Sequence, residues 1–232
     1  ENENICEMAL KASKMAIEDS KISANDIELV IVATTSTNTL MPGISYYIQK
    51  ELNIEKCICL DILAGCAGYI NAFDIAKMYI GTRKVETALI VGVDALSECT
   101  DNNDINTKII LSDGAGATII KRTKNNKIYS SYIQSDGKNG EILTYKTYEK
   151  IKMDGKAVYK YAVTETVKNI EELLLESNVK LEDIKYIIPH QSNVKIMKSM
   201  VAKLDVTIDK LYMNIAEVGN TFCASIPIAL TQ

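Results

Sequence analysis

Tryptophan is missing altogether from these 232 residues, phenylalanine occurs twice, and the only histidine is His190. A single imidazole rules out chemistry that needs two. Together with six cysteines that form no CxxC pair, it also argues against a zinc site. Those cysteines (Cys6, Cys57, Cys59, Cys66, Cys99 and Cys223) fall at irregular spacings, unlike the framework of a small disulfide-stapled domain. No five or six like charges stand in a row, and 26 basic against 30 acidic side chains leave a net charge of −4. Electrostatic capture of nucleic acid or of an anionic membrane is therefore not expected. The longest apolar run, Leu29 to Ala33, is far short of the ~20 residues that cross a bilayer. No charged-then-apolar leader opens the chain. The expectation is a cytoplasmic protein with reduced, packing cysteines and no need of a metal or cofactor.

The residues present describe an ordinary globular chain, with 47% hydrophobic and 24% charged side chains, which excludes disorder and low complexity. The chain also resembles itself. Asp19 to Ile31 matches Glu176 to Ile188 in character at an offset of 157 residues, and both stretches read as helix end, short loop, Asp-Ile, then strand. The same offset carries Cys66-Ala67-Gly68 onto Cys223-Ala224-Ser225. Two windows in register imply two pseudo-repeated α/β halves, 1–122 and 123–232. The first copy runs well past Cys66 while the second stops soon after Cys223. The strands expected between Ile128 and Thr144 have no counterpart before Glu1, so the chain reads as truncated at both ends.

Periodicity predicts helices at Ile5 to Asp19, Ser45 to Leu52, Ala67 to Gly81, Lys156 to Glu176 and Val194 to Lys203, with a helical stretch after Asn220. Strands are expected at Glu28 to Thr34, Cys57 to Asp61, Thr87 to Val91, Lys108 to Leu111, Ala115 to Lys121, Ile128 to Gln134, Glu141 to Thr144, Tyr186 to Ile188 and Leu211 to Met213. The unbroken Leu-Val-Ile-Val of the first strand marks it as buried on both faces. Alternating strands and helices imply sheets covered by helices.

Cys66 lies among small residues between a strand and a helix, where unpaired N–H groups and the helix dipole favour a nucleophilic thiolate. Read alone it could equally be an inert buried thiol. His190 follows a buried strand, where sites gather in open α/β sheets, although a lone histidine there also fits a structural hydrogen bonder. Asn220, in Val218-Gly219-Asn220-Thr221, fits an N-cap or turn as well as a site. The run Asp113-Gly114-Ala115-Gly116-Ala117 lacks the third glycine and the following helix of a dinucleotide loop, and reads better as close backbone approach. His190 and Asn220 stand 124 and 154 residues beyond Cys66, a spacing that a papain-like protease would share. The missing tryptophan, the missing Cys-Gly-Ser-Cys context and the internal repeat speak against that alternative.

Four motifs then carry a resemblance. Asp61-Ile62-Leu63-Ala64-Gly65-Cys66-Ala67-Gly68, Ser112-Asp113-Gly114-Ala115-Gly116-Ala117, Pro189-His190-Gln191-Ser192-Asn193 and Gly219-Asn220-Thr221 with Ala224-Ser225-Ile226-Pro227 run through the chain in order. Together they resemble beta-ketoacyl-acyl-carrier-protein synthase III of the thiolase-like superfamily. The resemblance implies two repeated α/β halves in a five-layer arrangement, an acyl-accepting Cys66, and His190 with Asn220 as the decarboxylation pair. It also implies an acyl carrier protein partner and an acyl thioester primer, with coenzyme A a candidate donor. A homodimer is implied too, with the strand Thr87 to Val91 pairing across a two-fold.

Several residues depart from the family pattern. Ile105 stands where an arginine usually stacks on the coenzyme A adenine. Lys195 replaces the arginine that usually meets the carrier protein, next to Asn193 at the expected pantetheine contact. Phe222 and Cys223 replace small residues after Asn220. Met41 and Leu111 take positions where the family often has aromatic residues lining the acyl pocket, so Met41, Leu111 and Phe222 are the expected pocket residues. The family's glycine-rich C-terminal strand, which supplies N–H groups to the acyl oxyanion, has no counterpart in the sequence. The implied activity is decarboxylative condensation of a primer with malonyl-acyl carrier protein in fatty acid biosynthesis. The alternatives are a related acyltransferase of a specialised pathway and a non-catalytic dimerising homologue.

Overall fold

Parallel pairing of apolar strands organises the first part of the chain. The computed structural model describes residues 3–124 and 129–232. It divides into two compact units: 1–96 with 112–126 and 221–232, and 97–111 with 127–220. This is a division by packing, distinct from the division by repeat.

In the first unit, β1 (Leu29–Ala33) is flanked by β2 (Ile58–Ile62) and β3 (Thr87–Asp94), both parallel to it, and β4 (Gly114–Lys121) runs antiparallel along β3. Every residue of β1 is buried. Alternation divides its side chains between two cores. Val30 and Val32 join Leu89, Val91 and Val93 beneath helices α1 (Ile5–Ser20) and α2 (Ile44–Glu51). Leu29, Ile31 and Ala33 join Ala88 and Ile90 beneath α3 (Gly68–Gly81), with Cys223 in the same cluster. The N-terminus of α2 has only Gly43 as its cap residue. Asp61 on β2 supplies the missing acceptors, taking N–H bonds from Ile44 at 2.6 Å and Ser45 at 3.0 Å.

The strand order β2-β1-β3-β4 corrects one expectation. The Thr87 to Val91 segment is paired on both sides, so it has no free edge to offer a partner across a two-fold. The free edges of this sheet lie along β2 and β4. Close approach at the Gly-Ala-Gly run is borne out. A Cβ on Gly116 would stand 2.7 Å from the Ile228 nitrogen, and one on Gly114 2.9 Å from Thr221 Cγ2.

The second unit is mostly helical, built on α4 (Gly155–Ser177) and α5 (Val194–Leu204). Val167, Met197, Met200, Val201, Leu204 and Leu211 form its core. Several expected strands are absent here. Lys108 to Leu111 is apolar enough for a strand, but Asp104 caps a short helix, Ile105–Lys108, accepting from Asn106 N at 3.1 Å and Thr107 Oγ1 at 2.9 Å. Asp136 likewise starts a 3-10 turn, Gly137–Ile142, which leaves only Leu143–Thr144 (β5) to pair with Lys152–Met153 (β6). No strand occurs over 129–134, and Ile128 lies outside the described residues. The strands expected at Tyr186 and Leu211 reduce to one parallel bridge, Ile187 to Leu211.

The repeat is written into the backbone. Helix α1 ends in a left-handed Lys21 (φ 56) and α4 in a left-handed Asn178 (φ 53), 157 residues apart. Three-residue 3-10 turns follow at Ala24–Asp26 and Leu181–Asp183, again at that offset. Among the described residues no helix is long and apolar enough to cross a membrane.

Candidate active site

The carboxyl ends of β1, β2 and β3 lie at one edge of the first unit's sheet, where parallel sheets place their sites. Beyond β2 the chain turns through a 3-10 segment, Gly65–Ala67, into α3, and Cys66 sits in that turn. Gly65 adopts φ 54, a left-handed conformation that glycine accepts without penalty. At the repeat offset Phe222 holds the same region, φ 42, and begins its own 3-10 turn, Phe222–Ala224, leading into the helix Ser225–Leu230. Such a conformation is rare for an aromatic side chain.

Burial pushes the Cys66 thiol up to about 12, and the charge of Asp94 pushes in the same direction. This corrects the expectation of a resting thiolate, since desolvation and a nearby carboxylate outweigh the helix terminus. Cys66 is a thiol at neutral pH and must surrender its proton during acyl transfer. Cys57 and Cys59 are free thiols with sulfurs 3.5 Å apart.

The second unit carries His190 and Asn220. The loop after the Ile187 bridge is held by Gln191, whose fully buried amide donates to the carbonyls of Pro189 and Tyr212, each at 3.1 Å. Its Oε1 accepts from Asn214 N at 3.0 Å. Ser192 N–H closes on the His190 carbonyl at 2.8 Å. Asn220 is neither helix cap nor free turn: it forms a parallel bridge with Leu111, and its N–H reaches the Ile110 carbonyl at 3.0 Å. Its side-chain amide donates to the Ser192 carbonyl at 3.3 Å, tying it to the His190 loop.

His190 Nδ1 is buried without a hydrogen-bond partner among the described residues, and burial lowers the imidazole to about 4. It is neutral at pH 7, a hydrogen-bond donor through one nitrogen only. The depressed value has a sign. Between pH 6.5 and 4 the unfolded chain binds a proton that the native state refuses, so stability is lost as pH falls through that window, by about 3 kcal/mol. Urea midpoints at pH 7 and pH 4.5 should fall further for the wild type than for His190→Gln. Equal falls would show that the imidazole is not held neutral.

The remaining expected residues are distributed as follows. Asn193 caps α5, accepting from Lys195 N at 2.8 Å, and Lys195 is exposed in the first turn. Met41 is 89% exposed on the loop before α2, and Phe222 is buried. Sequence reasoning missed Gln191 as the clamp of the His190 loop. It also missed Asp94, a fully buried carboxylate at the end of β3 whose signal was an acid closing an otherwise apolar strand.

Residues 60–137 match the family model of 3-Oxoacyl-[acyl-carrier-protein (ACP)] synthase III, and residues 174–232 match its C-terminal model. The Beta-ketoacyl-[acyl-carrier-protein] synthase III of Clostridium beijerinckii is 37% identical over 100% of this chain and 76% of its own length. That of Clostridium kluyveri is 38% identical over the same shares. The crystal structure of 3-oxoacyl-[acyl-carrier-protein] synthase III from Aquifex aeolicus superposes with a TM-score of 0.97 at 34% identity, covering 100% of this chain and 75% of that one.

Proposed function

This chain belongs to the 3-oxoacyl-[acyl-carrier-protein] synthase III family, and from that premise we propose that Cys66, His190 and Asn220 divide its reaction between them. The fold is thiolase-like, and the activity is that of a condensing acyltransferase of fatty acid biosynthesis. In the first half-reaction the Cys66 sulfur attacks the primer thioester. The acyl group moves to Cys66, and the thiol proton leaves with the departing thiol, so that one difficult carbon–carbon bond formation becomes two easier transfers.

In the second half-reaction malonyl-acyl carrier protein loses carbon dioxide. The electron pair of the broken bond becomes an enolate, whose oxygen is met by a neutral His190 and the Asn220 amide. Fixed donors in a dry site need no reorganisation as charge develops. The carbanion attacks acyl-Cys66, forms the 3-oxoacyl thioester and frees the sulfur to take back a proton. The observation that carries this reading is the Asn220 amide bound to the Ser192 carbonyl, two residues beyond His190, whose Nδ1 is buried.

Acyl carrier protein is the proposed partner. Lys195 offers a cation at the start of α5, and Asn193 stands beside it at the proposed pantetheine contact. Met41, Leu111 and Phe222 are the proposed acyl-pocket residues, and the proposed primer is a short acyl thioester. The halves 1–122 and 123–232 are proposed as two copies of one plan, supported by the turns repeated at 157 residues. A homodimer in the cytoplasm completes the reading, with the β2 edge as its seam. Ile58 on that strand and Leu63 just beyond it are 37% and 67% exposed, an apolar edge that pairing would cover.

Intact mass after incubation with acyl thioesters, followed by carbon dioxide release from malonyl-acyl carrier protein, tests the assignment. Acyl mass on Cys66 and carbon dioxide with a 3-oxoacyl product are expected. Acyl mass without condensation would mean simple transfer, and no acyl mass from any donor would mean a non-catalytic role. A monomer in sedimentation at micromolar concentration would remove the dimer.

A further inference from the structure

Asp94 is fully buried at the carboxyl end of β3, and N–H and O–H donors from two other segments converge on its carboxylate. Four converge on Oδ1: Thr35 N at 2.7 Å, Ser36 Oγ at 2.9 Å, Ser36 N at 3.0 Å and Thr34 Oγ1 at 3.3 Å. Another comes from Cys223 N to Oδ2 at 3.0 Å. Ser36 Oγ in turn accepts from Ala95 N at 2.7 Å, which closes the loop back onto β3. No cation pairs with Asp94 in any of these contacts. Burial pushes the Asp94 carboxyl above its ordinary range while these N–H and O–H donors pull it back, and such groups gather where a site needs a fixed frame.

The frame leads to the nucleophile. Cys223, tethered through its N–H, donates its thiol to the Gly65 carbonyl at 3.0 Å and stands 3.8 Å from Thr35 Oγ1. Gly65 is joined by its peptide bond to Cys66. One carboxylate thus connects three segments: the Thr34–Ser36 stretch that follows β1, the Cys223 turn of the second repeat, and, through Cys223, the left-handed turn that presents Cys66. We propose that Asp94 is a positioning residue, a buried anchor that fixes the Thr34–Ser36 stretch and the Cys223 turn and so holds the Cys66 sulfur in line for acyl transfer. Its charge has a second effect in the same place. Burial is the main reason the Cys66 thiol stays protonated, and a carboxylate near it pushes the same way by disfavouring a second anion.

Asp94→Asn in the full-length protein separates this role from mere support of the fold. The amide retains an acceptor for the Oδ1 side, but its NH₂ faces the Cys223 N–H and cannot accept. In a variant that still melts cooperatively, kcat should fall tenfold or more with the KM for the primer thioester within twofold. The pH midpoint for alkylation of Cys66 should move down. A purely structural residue would lower the yield of folded protein and leave that midpoint where it was. Wild-type kcat, or an unmoved midpoint in folded D94N, overturns the proposal.

Should D94N not fold, Ser36→Ala removes one donor from Oδ1 and leaves the charge in place. A severalfold fall in kcat at constant KM is expected of it, and wild-type kcat overturns the proposal. Because the argument rests on Cys66 as nucleophile, Cys66→Ala is measured beside them. Full activity there would remove the nucleophile itself, whatever Asp94 does.

Discussion

Cys66→Ala is expected to take up no acyl group from any thioester and to lose condensing activity by at least about 10³-fold, while still releasing carbon dioxide from malonyl-acyl carrier protein. The asymmetry follows from where the parts are held. The sulfur belongs to the Gly65–Ala67 turn, whose shape is set by the left-handed Gly65 and by the Cys223 thiol on the Gly65 carbonyl, neither of which involves the Cys66 side chain. Loss of one sulfur should leave a folded protein, lower in stability by about 1 kcal/mol. The imidazole and amide proposed for decarboxylation are organised by Gln191 and Ser192 within the second unit. Intact mass and carbon dioxide release, measured on one preparation, check both halves. Acyl mass on the variant would place the nucleophile elsewhere, with five other cysteines as candidates.

The repeat was the most legible feature of the sequence, because the residues that end a helix and open a strand are local. Ser20 and Ser177, Asp26 and Asp183, and Ile27 and Ile184 sit at the same offset and form the same turns. Pairing partners are not local. Thr87 to Val91 reads as a strand in any arrangement, and nothing in its sequence says that β1 and β4 occupy both its edges. The apolar Ile109-Ile110-Leu111 reads as a strand on composition, but capping by Asp104 decides for a helical turn before it, and Leu111 keeps a single bridge, to Asn220. The charge state of Cys66 was illegible for a different reason. A helix N-terminus is visible in sequence, whereas desolvation and the approach of Asp94 depend on elements far apart in the chain.

His190→Ala and Asn220→Ala should invert the Cys66→Ala pattern: acyl mass still accumulates on Cys66, while carbon dioxide release and condensation fall by about 10² to 10³ for each. A neutral imidazole that gives one hydrogen bond and an amide that gives another would each stabilise the enolate oxygen, so removal of either leaves half the site. His190 is lowered to about 4, which keeps the protein donor of one form across the working range. The decarboxylation rate should accordingly be flat from about pH 5.5 upward and fall only below it, as the imidazole charges and its loop is strained. An inflection near pH 6.5 would show instead an exposed, ordinary histidine. Asn220→Asp refines the test. It retains the size of the side chain, but a carboxylate cannot donate to the Ser192 carbonyl at 3.3 Å and would repel the developing enolate. Its loss should therefore exceed that of Asn220→Ala. Equal rates for the two variants would show that the Asn220 amide serves the fold and leaves the enolate to other groups.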